Sequence, residues 1–424
     1  MKNILKDRIF RSFISLFSGD AIASVLSIIS LTFITKGIGM EKYGFIVLLQ
    51  GIAGLFDGIF NFQSWQGFIK FFPERKDNPE ELKSLIKFSY LQDIITAIIA
   101  FGVLNICKNI VGNFYEFTNV QIVMLQIFSM YMVFNIQGTP IGILRSYDRF
   151  DALRNQRAIG GIVNFILLGA GYILKQDTLY FLGAYAISTV FSLGLLNFYA
   201  LRELKKRGIL DFYKVHSKFD KEFFKFNCFT NLNSSLDIPI QYLDNLLVGK
   251  YLSLEELGIY KICKTVALVL DKVATPVYQI LYPYFCNEIK DGRSKQMYKK
   301  LYKISGLLGL GVILILIGLN TVGFYILGKF FGSVILNYKT AINFYLIAKG
   351  IAITFIGIHP LFLAKGYVKQ ETVIILVANG IYLVALFPLL KAFGLMGVIG
   401  AYLIQVMLII LLKTSTVYYT IKDN

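Results

Sequence analysis

The sequence has few of the residues on which enzymes, metal centres and disulfide frameworks depend. It contains two histidines, His216 and His359, and four cysteines, none of which form a CxxC pair. Neither histidine belongs to a metal-spaced or nucleophile–base pattern, and no phosphate-binding glycine loop is present. The common designs of hydrolase, metalloenzyme and nucleotide-driven pump are therefore excluded, and the sequence predicts neither an enzyme nor a cofactor or metal.

Charged residues are also scarce, at 16% of 424 residues, whereas hydrophobic residues make up 56% and the mean hydropathy is +0.61. This composition is typical of a polytopic membrane protein. The net charge of +17 comes largely from cations in short connections between apolar runs, which is where orientation-setting charges belong. Nucleic-acid binding is therefore not expected.

Twelve apolar segments are long enough to cross a bilayer as helices. They run approximately over residues 12–35, 44–70, 85–106, 120–144, 157–174, 178–201, 226–249, 258–285, 302–327, 338–364, 371–391 and 395–418. Most Lys and Arg lie in alternate connections, which places those connections and both termini in the cytoplasm. The chain is therefore predicted to be an all-α membrane protein with six-helix bundles at 1–201 and 226–424 and a basic cytoplasmic linker at 202–225.

The two predicted bundles carry a weak internal repeat. Seven residues of the first half recur 214 positions later, among them Gly44 as Gly258 and Asp57 as Asp271. Because each half has an even number of helices, both halves enter the membrane in the same direction. The sequence thus predicts two parallel repeats around a central cavity.

The stretch from Asn227 to Lys250 combines spanning length with ordered polarity. Its polar residues fall in one sector of a helical wheel, and they are Asn227, Thr230, Asn231, Ser234, Asp237, Gln241, Asp244 and Asn245. Two carboxylates in one spanning helix are tolerable only beside water or paired partners. The pattern favours a helix with one wetted face, and a polar helix buried against its neighbours is the alternative.

Polar stripes also mark the first, second and eighth predicted helices, and pseudo-symmetry would bring all four stripes together. The expected cavity-lining residues are Lys264, Lys272, Lys349, Gln50, Asn61, Asn231 and Gln241. The candidates for ion coupling are Asp20, Asp57, Asp237, Asp244 and Asp271. Hydrogen-bonded structural carboxylates are the alternative for these aspartates.

Several of these residues have a second interpretation. Lys272 either meets an anionic substrate or neutralises the adjacent Asp271, and Lys264 suits snorkelling to the outer surface equally well. Lys349 lies deep in the tenth predicted helix, which favours a wet cavity. His359, beside Pro360, is interpreted as a helix-kink residue rather than a proton relay.

Five stretches resemble a known transporter family. They are ITKGIGMEKYGFIVLLQGI, GILRSYDRFDALRNQ, LDNLLVGKYLSLEELGIYKICK, TPVYQILYPYF and LAKGYVKQETV. These are similar to the Wzx-type polysaccharide flippases of the multidrug/oligosaccharidyl-lipid/polysaccharide exporter superfamily. The resemblance implies alternating access of a cavity lined by helices one, two, seven and eight, and a substrate of undecaprenyl-pyrophosphate-linked oligosaccharide for O-antigen, capsule or exopolysaccharide.

The same resemblance implies a bacterial cytoplasmic (inner) membrane location, with membrane lipids, a polysaccharide polymerase and chain-length proteins as partners. It also implies a cationic cavity for the pyrophosphate, yet the aspartates here rival the lysines and no arginine lies in the middle of any predicted span. An ion-coupled multidrug or metabolite antiporter of the same superfamily is the alternative. An integral membrane polymerase would normally need a large external loop, and the outer connections are short.

Overall fold

The computed structural model describes residues 26–216, 219–235, 238, 242–290 and 294–422. Throughout these ranges the secondary structure is helical and contains no strand, which confirms the all-α prediction. The chain forms two compact units, Met1–Leu246 and Leu247–Asn424. The predicted bundles at 1–201 and 226–424, with a linker between them, stay a prediction.

Within its described residues, the first unit is built from α-helices and two 3₁₀ helices. They are α1 (Leu26–Ile38), α2 (Met40–Phe60), α3 (Trp65–Arg75), α4 (Pro79–Tyr115), α5 (Asn119–Ser129), a 3₁₀ helix (Met130–Phe134), α6 (Gly138–Ser146), α7 (Phe150–Ile173), α8 (Thr178–Lys206), a second 3₁₀ helix (Leu210–Lys214), α9 (Lys221–Ser235) and the start of α10 (Asp244–Tyr251). Local sequence sets several boundaries. Asn78 accepts hydrogen bonds from the backbone N–H groups of Glu80 and Glu81 at the start of α4, where Pro79 follows directly.

The second unit contains one α-helix that corresponds to two predicted spans. Its elements are α11 (Leu254–Lys290), α12 (Ser294–Gly318), a π-helical turn (Leu319–Gly323), α13 (Phe324–Phe331), a 3₁₀ helix (Ser333–Tyr338), α14 (Lys339–Thr354), α15 (Ile358–Ala364) and α16 (Val368–Lys422). Gly394 has φ 57° inside α16 and breaks it between the predicted spans 371–391 and 395–418. This backbone conformation is open to glycine and strained for other residues.

Eight stretches of the described residues are long and apolar enough to cross a membrane. They are Met40–Arg75, Pro79–Tyr115, Asn119–Ser146, Phe150–Ile173, Thr178–Lys206, Lys300–Phe331, Ser333–Ala364 and Lys369–Val417. The predicted spans at 12–35 and 226–249 lie partly outside the described residues. The multi-pass architecture is thus confirmed, and the count of twelve is not.

The apolar core of the first unit packs α3, α4, α6 and α8 against the start of α9, through residues such as Phe68, Ile86 and Phe223. The segment after α8 joins this core, because Phe212 of the second 3₁₀ helix also packs against it. Lys83 of α4 lies 2.8 Å from Asp211 of the same 3₁₀ helix. Much of the predicted linker is therefore folded onto the first unit.

A buried charged cluster joins the last helices of the second unit. Lys413 Nζ lies 2.8 Å from Glu371 Oε1, and His359 Nδ1 lies 2.5 Å from the same oxygen. His359 is near the start of α15, just after the break that follows α14. The predicted kink at His359 is therefore present, and the residue also contacts an ion pair that the sequence did not suggest.

Candidate functional site

Two membrane-spanning stretches of the first unit are broken at polar residues. Within Met40–Arg75, α2 ends at Phe60 and α3 begins at Trp65, with the sequence NFQS between them. Within Asn119–Ser146, the 3₁₀ helix ends at Phe134 and α6 begins at Gly138, with NIQ between them. Non-helical backbone at membrane depth is tolerated only where it is buried in protein or lines a wet cavity. Both breaks therefore need polar partners.

Asp93 of α4 supplies those partners to both breaks. One carboxylate oxygen accepts from the backbone N–H of Ser64 at 3.2 Å, and the other accepts from the backbone N–H and the hydroxyl of Thr139 at 2.6 and 2.7 Å. Because Asp93 is buried, its negative charge needs compensation. The three donors and the N-terminal dipoles of α3 and α6 provide it. One side chain thereby fixes the starts of two half-helices.

Asp57, near the end of α2, also contacts both breaks. Its carboxylate accepts from the side-chain amides of Asn61 at 3.0 Å and Asn135 at 2.6 Å. The Asn61 amide also donates to the backbone carbonyl of Asn135 at 3.0 Å. This arrangement favours the structural interpretation of Asp57 in its present state, because amide donors already occupy both of its oxygens.

Glycine lets these elements approach closely. A Cβ atom at Gly138 would lie 2.4 Å from the backbone nitrogen of Ser64 and 3.0 Å from both carboxylate oxygens of Asp93. A Cβ atom at Gly67 of α3 would lie 2.2 Å from the side-chain oxygen of Asn227 on α9. Backbone occupies the space beside Gly138, so only a residue without a side chain fits at that position.

The breaks form one wall of a polar cavity of about 410 Å³. Its lining residues are Asp57, Gly58, Asn61, Gln63, Trp65, Gln66, Gln137, Thr230, Asn231, Ile238 and Tyr242. The side chains of Gln63, Gln66 and Gln137 make no hydrogen bond within the described part of the chain. Among the described residues that line it, none is Lys, Arg or His. The cavity thus offers neutral donors and acceptors together with one carboxylate.

Three sequence-predicted residues, Asp57, Asn61 and Asn231, meet in this cavity. Gln50 lies on α2, partly buried and outside the cavity lining. Asp244 is buried at the start of α10, where its side chain accepts from the backbone N–H of Asn245 at 2.6 Å.

The predicted cations of the second unit have other surroundings. Lys264 of α11 is partly buried, with its ammonium 4.9 Å from the centre of the Tyr260 ring. Lys349 is partly buried on α14. The side chains of Asp271 and Lys272 and the residues Asp20, Asp237 and Gln241 lie outside the described residues. A cavity shared by both halves accordingly stays a prediction.

Several residues of this site were missed from the sequence. They are Gln63, Ser64, Trp65, Gln66, Asp93, Asn135, Gln137 and Thr139. A helical wheel assumes a continuous helix and so hides a break, although NFQS and NIQG interrupt otherwise apolar runs. The shared Asn-x-Gln pattern was the available indication. No group of three or more metal-ligating His, Cys, Asp or Glu occurs in the part of the chain that the structure describes.

The fold has well-characterised structural relatives. An inward-facing multidrug resistance MATE family transporter of the MOP superfamily aligns with a TM-score of 0.74 at 12% identity, covering 96% of this chain and 98% of that chain. The lipid II flippase MurJ, in an inward closed conformation, aligns with a TM-score of 0.72 at 13% identity, covering 95% of this chain and 87% of that chain.

At the sequence level, the chain is 26% identical to the inner membrane protein YghQ of Escherichia coli K12 over 169 residues. That match spans 37% of this chain and 46% of YghQ, or about half the length of the relative. The family model described as "Polysaccharide biosynthesis protein" matches residues 38–334. The resemblance drawn from the sequence is thereby confirmed. The chain belongs to this family of polysaccharide biosynthesis proteins, on a fold like that of the MATE transporters and MurJ.

Proposed function

We propose that the protein is a flippase that moves undecaprenyl-pyrophosphate-linked oligosaccharide from the cytoplasmic to the outer leaflet of a bacterial inner membrane by alternating access. The observation that carries this proposal is the polar cavity at the paired helix breaks of a polysaccharide biosynthesis protein. It acts on its substrate as a transporter, without chemical change.

A polar cavity inside a membrane-spanning unit meets the main physical obstacle to this transport. Hydroxyl and amide groups cost several kcal/mol each, about 4–8 on alkane transfer scales, when they enter hydrocarbon without hydrogen-bond partners. A sugar head group carries many such groups, so it crosses only where protein or water replaces its hydration. The glutamine amides of this cavity make no hydrogen bond with the described residues, and discontinuous helices are a recurrent way of building transporter sites near the bilayer midplane.

Orientation is part of the same proposal. The concentration of Lys and Arg in alternate connections supports a cytoplasmic location for both termini and for the segment after α8. Reporter fusions after Asn424 and within residues 202–225 are expected to report a cytoplasmic location. An external signal from either fusion contradicts this topology.

Transport is tested with purified protein in liposomes. The substrate is the lipid-linked oligosaccharide extracted from a strain in which the gene has been deleted, labelled on the sugar with a fluorophore that a membrane-impermeant reductant can bleach. Protein-containing vesicles are expected to expose the inner-leaflet label to the reductant faster than protein-free vesicles. Equal rates in the two preparations contradict the proposal.

A further inference from the structure

We infer that the cavity of the first unit binds the saccharide part of the substrate and not its pyrophosphate. This inference rests on the proposed function and assigns one chemical portion of the substrate to one cavity. It departs from the cationic site that the sequence resemblance implies for the head group.

The charge of the lining disfavours a pyrophosphate site in this cavity. Asp57 is the one carboxylic acid among the described lining residues, and none of those residues is Lys, Arg or His. A carboxylate at contact distance repels a phosphate oxygen by roughly 4 kcal/mol at the effective dielectric of about 20 that suits protein sites. A neutral polyhydroxyl group meets no such repulsion.

The hydrogen-bonding groups of the lining match a saccharide. Each glutamine amide provides two donors and one acceptor oxygen, and a sugar hydroxyl needs both kinds of partner. Gln63, Gln66 and Gln137 have no hydrogen-bond partner in the described part of the protein, so their amides remain available for a ligand. The Asn61 amide, by contrast, is committed to Asp57 and Asn135.

Two aromatic rings, Trp65 and Tyr242, border the cavity beside these amides. The Arg145 guanidinium lies 4.6 Å from the centre of the Trp65 ring and holds it in place by a cation–π contact. Rigid aromatic rings give a sugar an apolar surface for its C–H groups at low entropic cost. The volume of about 410 Å³ falls within the 300–1,000 Å³ typical of small-molecule sites.

Alternative occupants fit less well. A metal ion such as sodium requires several converging oxygen ligands, whereas the Asp57 oxygens already accept hydrogen bonds from two side-chain amides. An apolar drug would leave the three glutamine amides without partners, which is unfavourable in a confined site. A saccharide satisfies both the amides and the rings.

The chain contains one tryptophan, Trp65, so its intrinsic fluorescence reports directly on this cavity. The purified full-length protein is titrated with three probes: the intact lipid-linked oligosaccharide, the oligosaccharide released from it by mild acid, and inorganic pyrophosphate. The released oligosaccharide is expected to change Trp65 emission saturably, and pyrophosphate is expected to leave it unchanged. Titration calorimetry of the same wild-type samples gives the binding constant without relying on the fluorophore.

Variants separate this cavity from the rest of the protein. Gln66→Leu and Gln137→Leu are each expected to weaken binding of the released oligosaccharide about tenfold or more. Gln126→Leu is the matched control, because Gln126 of α5 bonds to Asn105 and lies outside the cavity. That control is expected to bind as wild type.

The inference is overturned if pyrophosphate binds and changes Trp65 emission while the released oligosaccharide does neither, or if both glutamine variants bind the oligosaccharide as wild type does. The vesicle assay distinguishes failure of the saccharide site from failure of the proposed flippase function. Transfer of the intact substrate without binding of the released sugar refutes the saccharide site alone. Binding of the released sugar without transfer of the intact substrate refutes the flippase function but supports the saccharide site.

Discussion

The two units differ in the helices that begin 214 residues apart in the register of the internal repeat. Met40 opens α2 and Leu254 opens α11, 214 residues later, in the register of the internal repeat. In the first unit α2 is followed by a break between Phe60 and Trp65, whereas α11 runs unbroken from Leu254 to Lys290. Two helices that begin at matching positions of the predicted repeat thus differ, since one is continuous and the other is followed by a break.

The difference depends on a carboxylate elsewhere in the unit. Asp93 of α4 holds both half-helix starts of the first unit, and the residue 214 positions later is Leu307, which is 61% exposed on α12. Without a buried acceptor, backbone N–H groups at a break would remain unsatisfied, and a continuous helix is the favourable solution. The comparison links the α2–α3 break to the buried acid that caps α3.

A second contrast concerns the charged contact between the start of α7 and α8 in the first unit and the charged contact between the two parts of α16 in the second unit. In the first unit the cation Arg149 precedes α7 and pairs with Glu203 of α8. In the second unit the anion Glu371 opens α16 and pairs with Lys413 further along it. The signs of charge are reversed while the positions are similar, which indicates that the contact serves to join helices.

The largest expected effect is that of Asp93→Ala. The change leaves the backbone N–H groups of Ser64 and Thr139 without an acceptor in a buried site, at about 1–3 kcal/mol each, or about 4 kcal/mol in total. Thermal unfolding in detergent is expected to show a large fall in Tm. Asp177→Ala is the control, since Asp177 caps one exposed helix start. Loss of that cap is expected to lower the free energy of unfolding by about 1 kcal/mol. An equal fall in Tm in the two variants contradicts the interpretation that Asp93 caps both α3 and α6.

Breaking the ion pair of the second unit comes next. Lys413→Met leaves Glu371 buried with His359 as its remaining partner, so a loss of about 3 kcal/mol is expected. Arg149→Met should cost less, because Glu203 keeps Arg207 at 2.9 Å. Adding Glu371→Gln to Lys413→Met removes the uncompensated charge and should restore part of the Tm. A double variant no more stable than Lys413→Met argues against the pairing.

Gly138→Ala tests the close approach at the break. Its Cβ would lie 2.4 Å from the Ser64 nitrogen, and the resulting overpacking should cost about 2 kcal/mol. Gly194→Ala in α8 is the matched control, because no atom lies within 4 Å of its added Cβ. Alanine there is expected to be neutral or to stabilise the helix by up to about 1 kcal/mol. Comparable Tm values for the two variants would show that the break tolerates a side chain.

The smallest effect is expected at the segment after α8, and it depends on pH. The hydrogen bond from the Lys83 ammonium holds the pKa of the Asp211 carboxyl below its ordinary value of 3.8. A lowered folded-state pKa contributes stability above the ordinary pKa, and that contribution is lost as the pH falls through the folded value. Asp211→Asn should flatten the acid limb of the Tm–pH profile, and Lys83→Ala should flatten it by part of that amount, because a backbone hydrogen bond and Lys214 still lower the pKa of Asp211. An acid limb that Lys83→Ala leaves unchanged contradicts this pairing.

Sequence reasoning identified the helical membrane fold and part of the site for a clear physical reason. Apolar length and periodicity are local properties, and they located α2 with Asp57 and Asn61. The role of Asp93 is not local, because it depends on two breaks that approach each other only in the folded unit. The same holds for Glu371 and Lys413, which lie far apart in the chain.

The contacts of the segment after α8 with the rest of the first unit affect the order in which the two units fold during synthesis. Arg75 lies 2.5 Å from Asp220, and Lys87 donates to the backbone carbonyls of Tyr213 and Val215, so the partners on both sides of these contacts belong to the first 246 residues. Domains generally fold as units, N-terminal first, while the ribosome is still elongating the chain. The first unit can therefore bind the segment after α8 before the second unit has been translated. A two-fragment expression system should accordingly divide the gene after this segment, between α10 and α11, and not within it.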